Sequence, residues 1–374
     1  MENQRLVRGT KAANGKIRVL VVDDSLVIRH LVSQALKEDP DIEVVGSEAN
    51  GKLALDRIPL VNPDLVTLDI EMPQMDGLET LKHIRKLYPR LRVVMFSTLT
   101  SRGASATFEA LSLGADDYVA KAANGGSLDR SLAALRDELV PKVKQFFSLA
   151  QTTASVTAEV STPQPKVEVL RLPMKPATTA VRRGKFRALA IGSSTGGPQA
   201  LAELIPKLPA NFPLPVLVVQ HMPPMFTRFL AERLNASCAL RVVEAEDGIK
   251  VEPGMVVIAR GDHHLRVKSN GSGFVTELNQ EAQENFCRPA VDMLFRSMAE
   301  GYGGNVLSVV LTGMGSDGLK GTQALKAAGS YSLAQDQESS VVWGMPGAIV
   351  RAGLADQVLA LRQLAPAIIE LVKA

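Results

Sequence analysis

Residues 192–196 read Gly-Ser-Ser-Thr-Gly, directly after the apolar run ALAI at 188–191. The pentapeptide fits G-x-S-x-G, which stands a serine oxygen at a sharp turn between a strand and a helix. Glycines flank Ser194 because the turn is tight and a substrate must approach the backbone closely. With Ser194 as a nucleophile the chain would be an esterase or amidase. The same turn could equally hold a phosphate or merely join a strand to a helix. A serine hydroxyl needs a base beside it at neutral pH. Of the five histidines, His30 and His83 fall in amphipathic helical stretches and read as solvated. His221 directly follows the apolar run 216–220, a candidate strand next to the one bearing Ser194, so it should reach the same sheet edge. His263 and His264 lie in the turn Gly-Asp-His-His-Leu and suit pocket walls better than a base. The base in turn needs an acid to fix its tautomer. Asp317 ends the loop TGMGSD (312–317) after a third apolar run; capping the next helix is its alternative role. Glycines in both turns let backbone N–H groups face the cleft, so amides near Thr195 and Met314 are candidates for an oxyanion hole.

A second constellation lies in the first half. Asp23 and Asp24 close one apolar run and Asp69 closes another. Neighbouring parallel strands would bring the three carboxylates into one cleft, where like charges repel unless compensated. A hard cation with oxygen ligands is the natural compensation, and Mg²⁺ suits a site that must also hold a phosphate. Ser97 and Lys121 close two further runs at the same edge. A hydroxyl, an ammonium, a metal and a carboxylate nucleophile together suit phosphoryl transfer onto Asp69.

The elements that must position these groups alternate along the chain. β-branched runs at 17–22, 42–45, 65–68, 93–96 and 118–119 are each followed by a helical period: Ile28, Leu31, Val32, Ala35 and Leu36 after a capping Ser25, then 52–58, 77–87, 104–113 and 128–139. Five such units predict a doubly wound parallel sheet with ligands at the carboxyl ends of its strands. The C-terminal half is also α/β. Runs 188–191, 216–219 and 306–311 read as parallel strands, whereas 255–259, 265–268 and 274–278 read as an antiparallel hairpin insert with Asn-Gly-Ser-Gly in its turn. Helices are expected near 197–208, 226–234, 289–299, 318–328 and 366–372, with Pro289 and Pro366 at first helical positions. The order serine, histidine, aspartate differs from that of α/β-hydrolases, so the pentapeptide does not imply that fold. Residues 150–184 are rich in Thr, Ala, Ser, Pro and Val without a period, as an interdomain linker would be.

Composition agrees. The 374 residues exceed one ordinary core, and 46% hydrophobic with 22% charged residues is a globular balance. A net charge of +3 gives no reason to expect nucleic acid or a polybasic membrane surface. No run approaches a membrane span, and the polar N-terminus lacks a signal-peptide core. Cys238 and Cys287 show no CxxC spacing; with the polar N-terminus, this points to the cytoplasm and to no disulfide framework.

The motifs VLVVDDS (19–25), LVTLDIEMPQMDGLETL (65–81), VVMFSTLT (93–100) and GADDYVAK (114–121) resemble the receiver domain of bacterial response regulators. The resemblance implies a flavodoxin-like fold, phosphorylation of Asp69 by a sensor histidine kinase, a Mg²⁺ site at Asp23, Asp24 and Asp69, and phosphoryl sensing by Ser97 and Lys121. Ala122 departs from the proline usual after that lysine. In the second half, IGSSTGGPQAL (191–201), QHMPPMFT (220–227), CRPAVDMLFRS (287–297), LTGMGSDG (311–318) and WGMPGA (343–348) resemble the catalytic domain of chemotaxis protein-glutamate methylesterases, the CheB family. That resemblance implies Ser194, His221 and Asp317 as nucleophile, base and acid, with Thr195 and Met314 in oxyanion or support roles. Ser193 and Ser316 stand where Ala and Asn are common.

The layout these resemblances imply is a leader (1–15), a receiver (16–138), a helix end and linker (139–185) and an esterase domain (186–374). The implied activity is hydrolysis of glutamate γ-methyl esters on helical chemoreceptor segments, with deamidation of receptor glutamines. The unphosphorylated receiver would cover the serine cleft, and no cofactor would serve the hydrolysis itself. A related esterase acting on a non-chemotaxis receptor, or a non-enzymatic response regulator that works by binding, are the competing readings.

Overall fold

The computed structural model describes residues 15–98, 100–121, 128–147 and 186–373. The leader up to residue 14, Ala122 and the stretch 150–184 lie outside the described residues. The first half runs β1 (Ile17–Val22), α1 (Leu26–Lys37), β2 (Ile42–Glu48), α2 (Gly51–Val61), β3 (Leu65–Asp69), α3 (Gly77–Leu87), β4 (Arg92–Thr98), α4 (Ser101–Ser112), β5 (Asp117–Lys121) and α5 (Leu128–Lys144). Its five strands are parallel in the order β2-β1-β3-β4-β5. β3 is buried along its whole length, as a strand covered by helices on both faces must be. Ser25 caps α1 by accepting from Ile28 N, and Leu31, Val32, Ala35 and Leu36 form its buried stripe. The order reverses beside β1, and the crevice at that switch point opens at the strand ends carrying Asp23, Asp24 and Asp69.

The second half runs β6 (Ala188–Ser193), α6 (Gly197–Leu204), β7 (Val216–Gln220), α7 (Phe226–Ser237), β8 (Arg241–Glu244), β9 (Met255–Ile258), β10 (His264–Ser269), β11 (Phe274–Asn279), α8 (Val291–Tyr302), β12 (Val306–Val310), α9 (Leu319–Ala327), β13 (Tyr331–Gln335), α10 (Met345–Arg351), β14 (Gln357–Leu359) and α11 (Leu361–Val372). Seven parallel strands lie in the order β14-β13-β12-β6-β7-β9-β8, and β10 pairs only with β11, antiparallel. β6 is central, flanked by β12 and β7. Those three strands deliver Asp317, Ser194 and His221 to one edge.

Several local expectations need correcting. The run 255–259 is not part of the antiparallel insert; β9 is a parallel strand of the main sheet, between β7 and β8. Its four residues are all buried, a pattern that does not distinguish a sheet interior from a hairpin. Neither proline opens its helix. Pro289 precedes the cap residue Ala290 of α8, and Pro366 lies inside α11. α11 begins at Leu361, where the Gln363 side chain accepts from Ala360 N (3.2 Å) and closes the start of the helix without the proline. The sequence pattern does not predict β8, β13, β14 or α10. β13 hides polar side chains, Ser332 and Gln335, by bonding them: Ser332 Oγ lies 2.7 Å from Ser308 Oγ, and Gln335 Oε1 accepts from Thr312 N at 2.8 Å.

The two halves pack against each other. Phe226 of α7 is fully buried and stacks on Tyr118 of β5, with ring centroids 4.9 Å apart and planes within 4°. Phe108 of α4 approaches the Phe226 ring at 6.0 Å. Val341 and Val342 join the apolar cluster under α5.

Candidate active site

Parallel register places Ser193 opposite Gln220 at the ends of β6 and β7. Ser194 and His221 are therefore the next residues along neighbouring strands, and His221 N donates to Ser193 O at 3.1 Å. Ser194 is half-buried. Gln220 builds its turn: Ser193 Oγ donates to Gln220 Oε1 at 2.7 Å, while Gln220 Nε2 donates to Ser194 O at 2.9 Å. From the third strand, Ser194 N donates to Thr312 O at 3.0 Å. The following residue must be glycine. A Cβ on Gly313 would stand 2.8 Å from Ser194 Cβ and 2.4 Å from Met345 Sδ. Met314, the next residue, is 42% exposed.

His221 Nε2 lies 2.8 Å from Asp317 Oδ2, and its Nδ1 faces Cys287 Sγ at 3.5 Å. Nδ1 is thus the ring nitrogen not engaged by the carboxylate. Burial alone would lower the His221 pKa; the Asp317 carboxylate, with the Cys287 sulfur, outweighs it and raises the pKa above 6.5.

Asp317 does not act as the cap of α9, whose cap is Gly318. Its carboxylate instead receives the first N–H groups of α8, from Val291 N to Oδ2 (2.6 Å) and from Asp292 N to Oδ1 (3.0 Å), and also Gly318 N to Oδ1 (2.9 Å). Burial favours its neutral form, but His221 and these N–H donors prevail and hold its pKa below 3.8. The helix N-terminus supplies positive potential to the anion. Asp292 reciprocates across the pair of helices: its Oδ1 accepts from Gly321 N of α9 at 2.6 Å. Burial raises the Asp292 pKa, and the Asp317 charge adds to that. Asn285 separates the two acids, its Nδ2 donating to Asp292 Oδ2 and to Asp317 Oδ1, each at 2.9 Å. Asn285, Asp292 and Gln220 were missed from the sequence. The position of Gln220 beside His221 is a signal the sequence carries, whereas nothing in the local sequence marks Asn285. Of the histidines set aside, His30 and His83 are exposed, and His264 is fully buried, accepting from Ala290 N at 3.2 Å.

Thr195 faces the other half of the molecule. Its buried hydroxyl donates to Asp117 Oδ2 of β5 at 2.9 Å and lies 3.2 Å from Gln145 Oε1. Gln145 Nε2 also reaches Asp117 Oδ2 (3.2 Å), and Gln199 Nε2 of α6 donates to Ala115 O (2.6 Å). The residue beside Ser194 is thereby tied to the first sheet.

At the far end of β5, Lys121 Nζ lies 2.8 Å from Asp69 Oδ1 and 2.9 Å from Asp23 Oδ2. Oxygens of Asp23, Asp24 and Asp69 lie within 4.8 Å of one another. Ser97 and Lys121 line the same cavity as Asp24 and Asp69. Burial pushes the Asp69 pKa up to about 6; Lys121 opposes that shift and the Asp23 charge adds to it. Three clustered carboxylates with one ammonium fit a hard divalent cation. Among the described residues no helix is long and apolar enough to cross a membrane.

Residues 19–133 match the family model described as the response regulator receiver domain, and residues 189–368 match that of the CheB methylesterase. A protein-glutamate methylesterase/protein-glutamine glutaminase of a Nocardioides species is 51% identical over 353 residues, covering 94% of each chain. One of the same name from Trichodesmium erythraeum is 48% identical, covering 95% of this chain and 98% of that one. Among solved structures, the CheB methylesterase catalytic domain of Thermotoga maritima is 46% identical, covering 50% of this chain and 99% of that one, with a TM-score of 0.49.

Proposed function

The chain belongs to the CheB methylesterase family, with a receiver domain joined to the esterase, and from this we propose a phosphorylation-controlled carboxylesterase that hydrolyses glutamate γ-methyl esters on chemoreceptors and deamidates receptor glutamines. The observation that carries the chemistry is the His221–Asp317 pair at 2.8 Å, at the strand end beside Ser194. Ser194 Oγ attacks the ester carbonyl carbon while His221 Nδ1 takes its proton. Asp317, held by three backbone N–H groups, keeps a proton on Nε2 and stabilises the imidazolium. Backbone N–H groups at the Thr195 and Met314 turns receive the developing oxyanion. Collapse breaks the bond to the methoxy oxygen, which leaves as methanol with the proton from His221; for a glutamine side chain ammonia leaves instead. Water, activated by the same imidazole, then frees the carboxylate.

Control resides in the first domain, for which we take residues 16–138, with 139–185 as connection and 186–374 as the esterase. Asp69 is the phosphoryl acceptor from a sensor histidine kinase, and Ser97 and Lys121 sense the phosphoryl group. Mg²⁺ held by Asp23, Asp24 and Asp69 would neutralise phosphoryl oxygens during transfer. In the dephosphorylated arrangement β5 covers the turn beside Ser194 through Asp117, and phosphorylation shifts the population to an uncovered form. Action on the cytoplasmic helices of chemoreceptors, under control of a kinase, implies a cytoplasmic setting. The test is methanol release from a methyl-labelled receptor preparation. Ser194→Ala should lose roughly 10⁴–10⁶ of the turnover, and near-normal release by that variant refutes the assignment.

A further inference from the structure

Beside the catalytic pair the chain makes a four-residue turn, Glu284-Asn285-Phe286-Cys287. Glu284 N donates to Cys287 O at 3.1 Å, and Cys287 N donates to Glu284 O at 2.9 Å. Both central residues have positive φ, 53° at Asn285 and 61° at Phe286, the signature of a type I′ turn. Asn is at home there, but at the second central position glycine is preferred, and a bulky aromatic with positive φ is a genuine outlier. The ring gains nothing from the core in exchange, because Phe286 is 96% exposed. It is also no part of the interdomain contact, since it is exposed with the receiver in place.

The turn is nonetheless held firmly. Arg296 of α8 grips Glu284 through two hydrogen bonds, one of 2.8 Å from Nη1 to Oε1. Asn285 bridges Asp317 and Asp292, and Cys287 Sγ touches His221 Nδ1. A strained, fully exposed aromatic is therefore fixed within one residue of groups that contact the catalytic acid and base. Met225 and Met314, on the loops that follow His221 and precede Asp317, are also exposed apolar side chains (38% and 42%). Large apolar groups presented on rigid supports are what recognition of an apolar partner requires.

We infer that Phe286 is a specificity-determining residue: it contacts an aliphatic side chain of the substrate protein next to the glutamate ester being hydrolysed. This rests on the methylesterase reading above. The occupant is the substrate chain itself, because the turn touches both His221 and Asp317, the pair that must act on the ester.

The experiment uses the full chain with a phosphodonor, and two helical peptides carrying one glutamate γ-methyl ester. They have Leu or Ser four residues away, on the same helix face. A small ester, N-acetylglutamate γ-methyl ester, is the third substrate. The wild type should favour the Leu peptide about tenfold in kcat/KM, chiefly through KM, as an apolar contact of this size gives. Phe286→Asn, which tolerates the positive φ, should bring that preference near unity while leaving the small ester unchanged. Phe286→Trp should keep the preference. An undiminished Leu preference in Phe286→Asn overturns the inference, as does a loss shared equally by the small ester. A wild-type chain inert on all three esters overturns the methylesterase reading and this inference with it; activity on the small ester alone refutes only the inference.

Discussion

Replacing Asp117 with Ala should switch the esterase on without phosphorylation. Asp117 Oδ2 accepts the Thr195 hydroxyl at 2.9 Å in a buried setting and is shared with Gln145 Nε2 at 3.2 Å. A hydrogen bond to a charged group contributes about 1.5–3 kcal/mol, and leaving its partner buried and unpaired costs a similar amount. Removing the carboxylate therefore destabilises the covered arrangement relative to the uncovered one by roughly 10- to 100-fold. The stacked Tyr118 and Phe226 rings, 4.9 Å apart, still favour covering, so the switch is partial. The measurement is methanol release without and with a phosphodonor. The basal rate of Asp117→Ala should rise by about tenfold or more, capped by the rate of the fully uncovered wild type. The stimulated rate should scarcely change, which also shows that the variant is folded. A basal rate equal to or below that of the wild type, with stimulation intact, refutes the view that this contact restrains the serine turn.

Two further outcomes follow from the same geometry. His221 must be neutral to take the Ser194 proton, and its pKa is raised above 6.5, so kcat/KM should rise with pH and reach half its plateau above pH 6.5. Asp317→Asn removes the main group that raises this pKa; it should lower the midpoint and cut the plateau by about 10⁴-fold. A pH-rate profile of both proteins checks this, and a wild-type midpoint below 6.5 contradicts it. Asp69→Ala should lose all stimulation by a phosphodonor while keeping the basal rate, and chelation of Mg²⁺ should do the same to the wild type. Stimulation that survives in Asp69→Ala rules out this residue as the acceptor.

The local sequence carried most of the fold because the two sheets are built from apolar β-branched runs buried on both faces. β1, α3 and β7 could be located from those runs and their helical partners alone. It carried less where burial is achieved by bonding rather than by apolarity. β13 puts Ser332 and Gln335 inside, with 0% exposure, and each is bonded to a neighbouring strand or loop. β9 was visible as a strand but not its partner, because a continuous apolar run does not specify which sheet it joins.

Within the site, the residues that a strand end presents were legible: Ser194, His221 and Asp317 on one sheet, and Asp23, Asp69 and Lys121 on the other. What could not be read is the set that acts across chain distance. Asn285 reaches Asp317 from 32 residues away, and Thr195 reaches Asp117 from 78. The second pair matters most for control. Asp117 and Lys121 open and close the same five-residue strand, so their side chains share one face of it. One end pairs with Asp69 and Asp23, the proposed phosphoryl site, and the other holds the hydroxyl next to Ser194. The strand is paired along its length to β4, so the proposed control would carry a shift at Lys121 along it to Asp117. Under the proposed control, the strand whose start holds the hydroxyl next to Ser194 is the one whose end would read the phosphorylation state of Asp69. On that proposal, shielding of the serine and sensing of the phosphate are coupled through one strand.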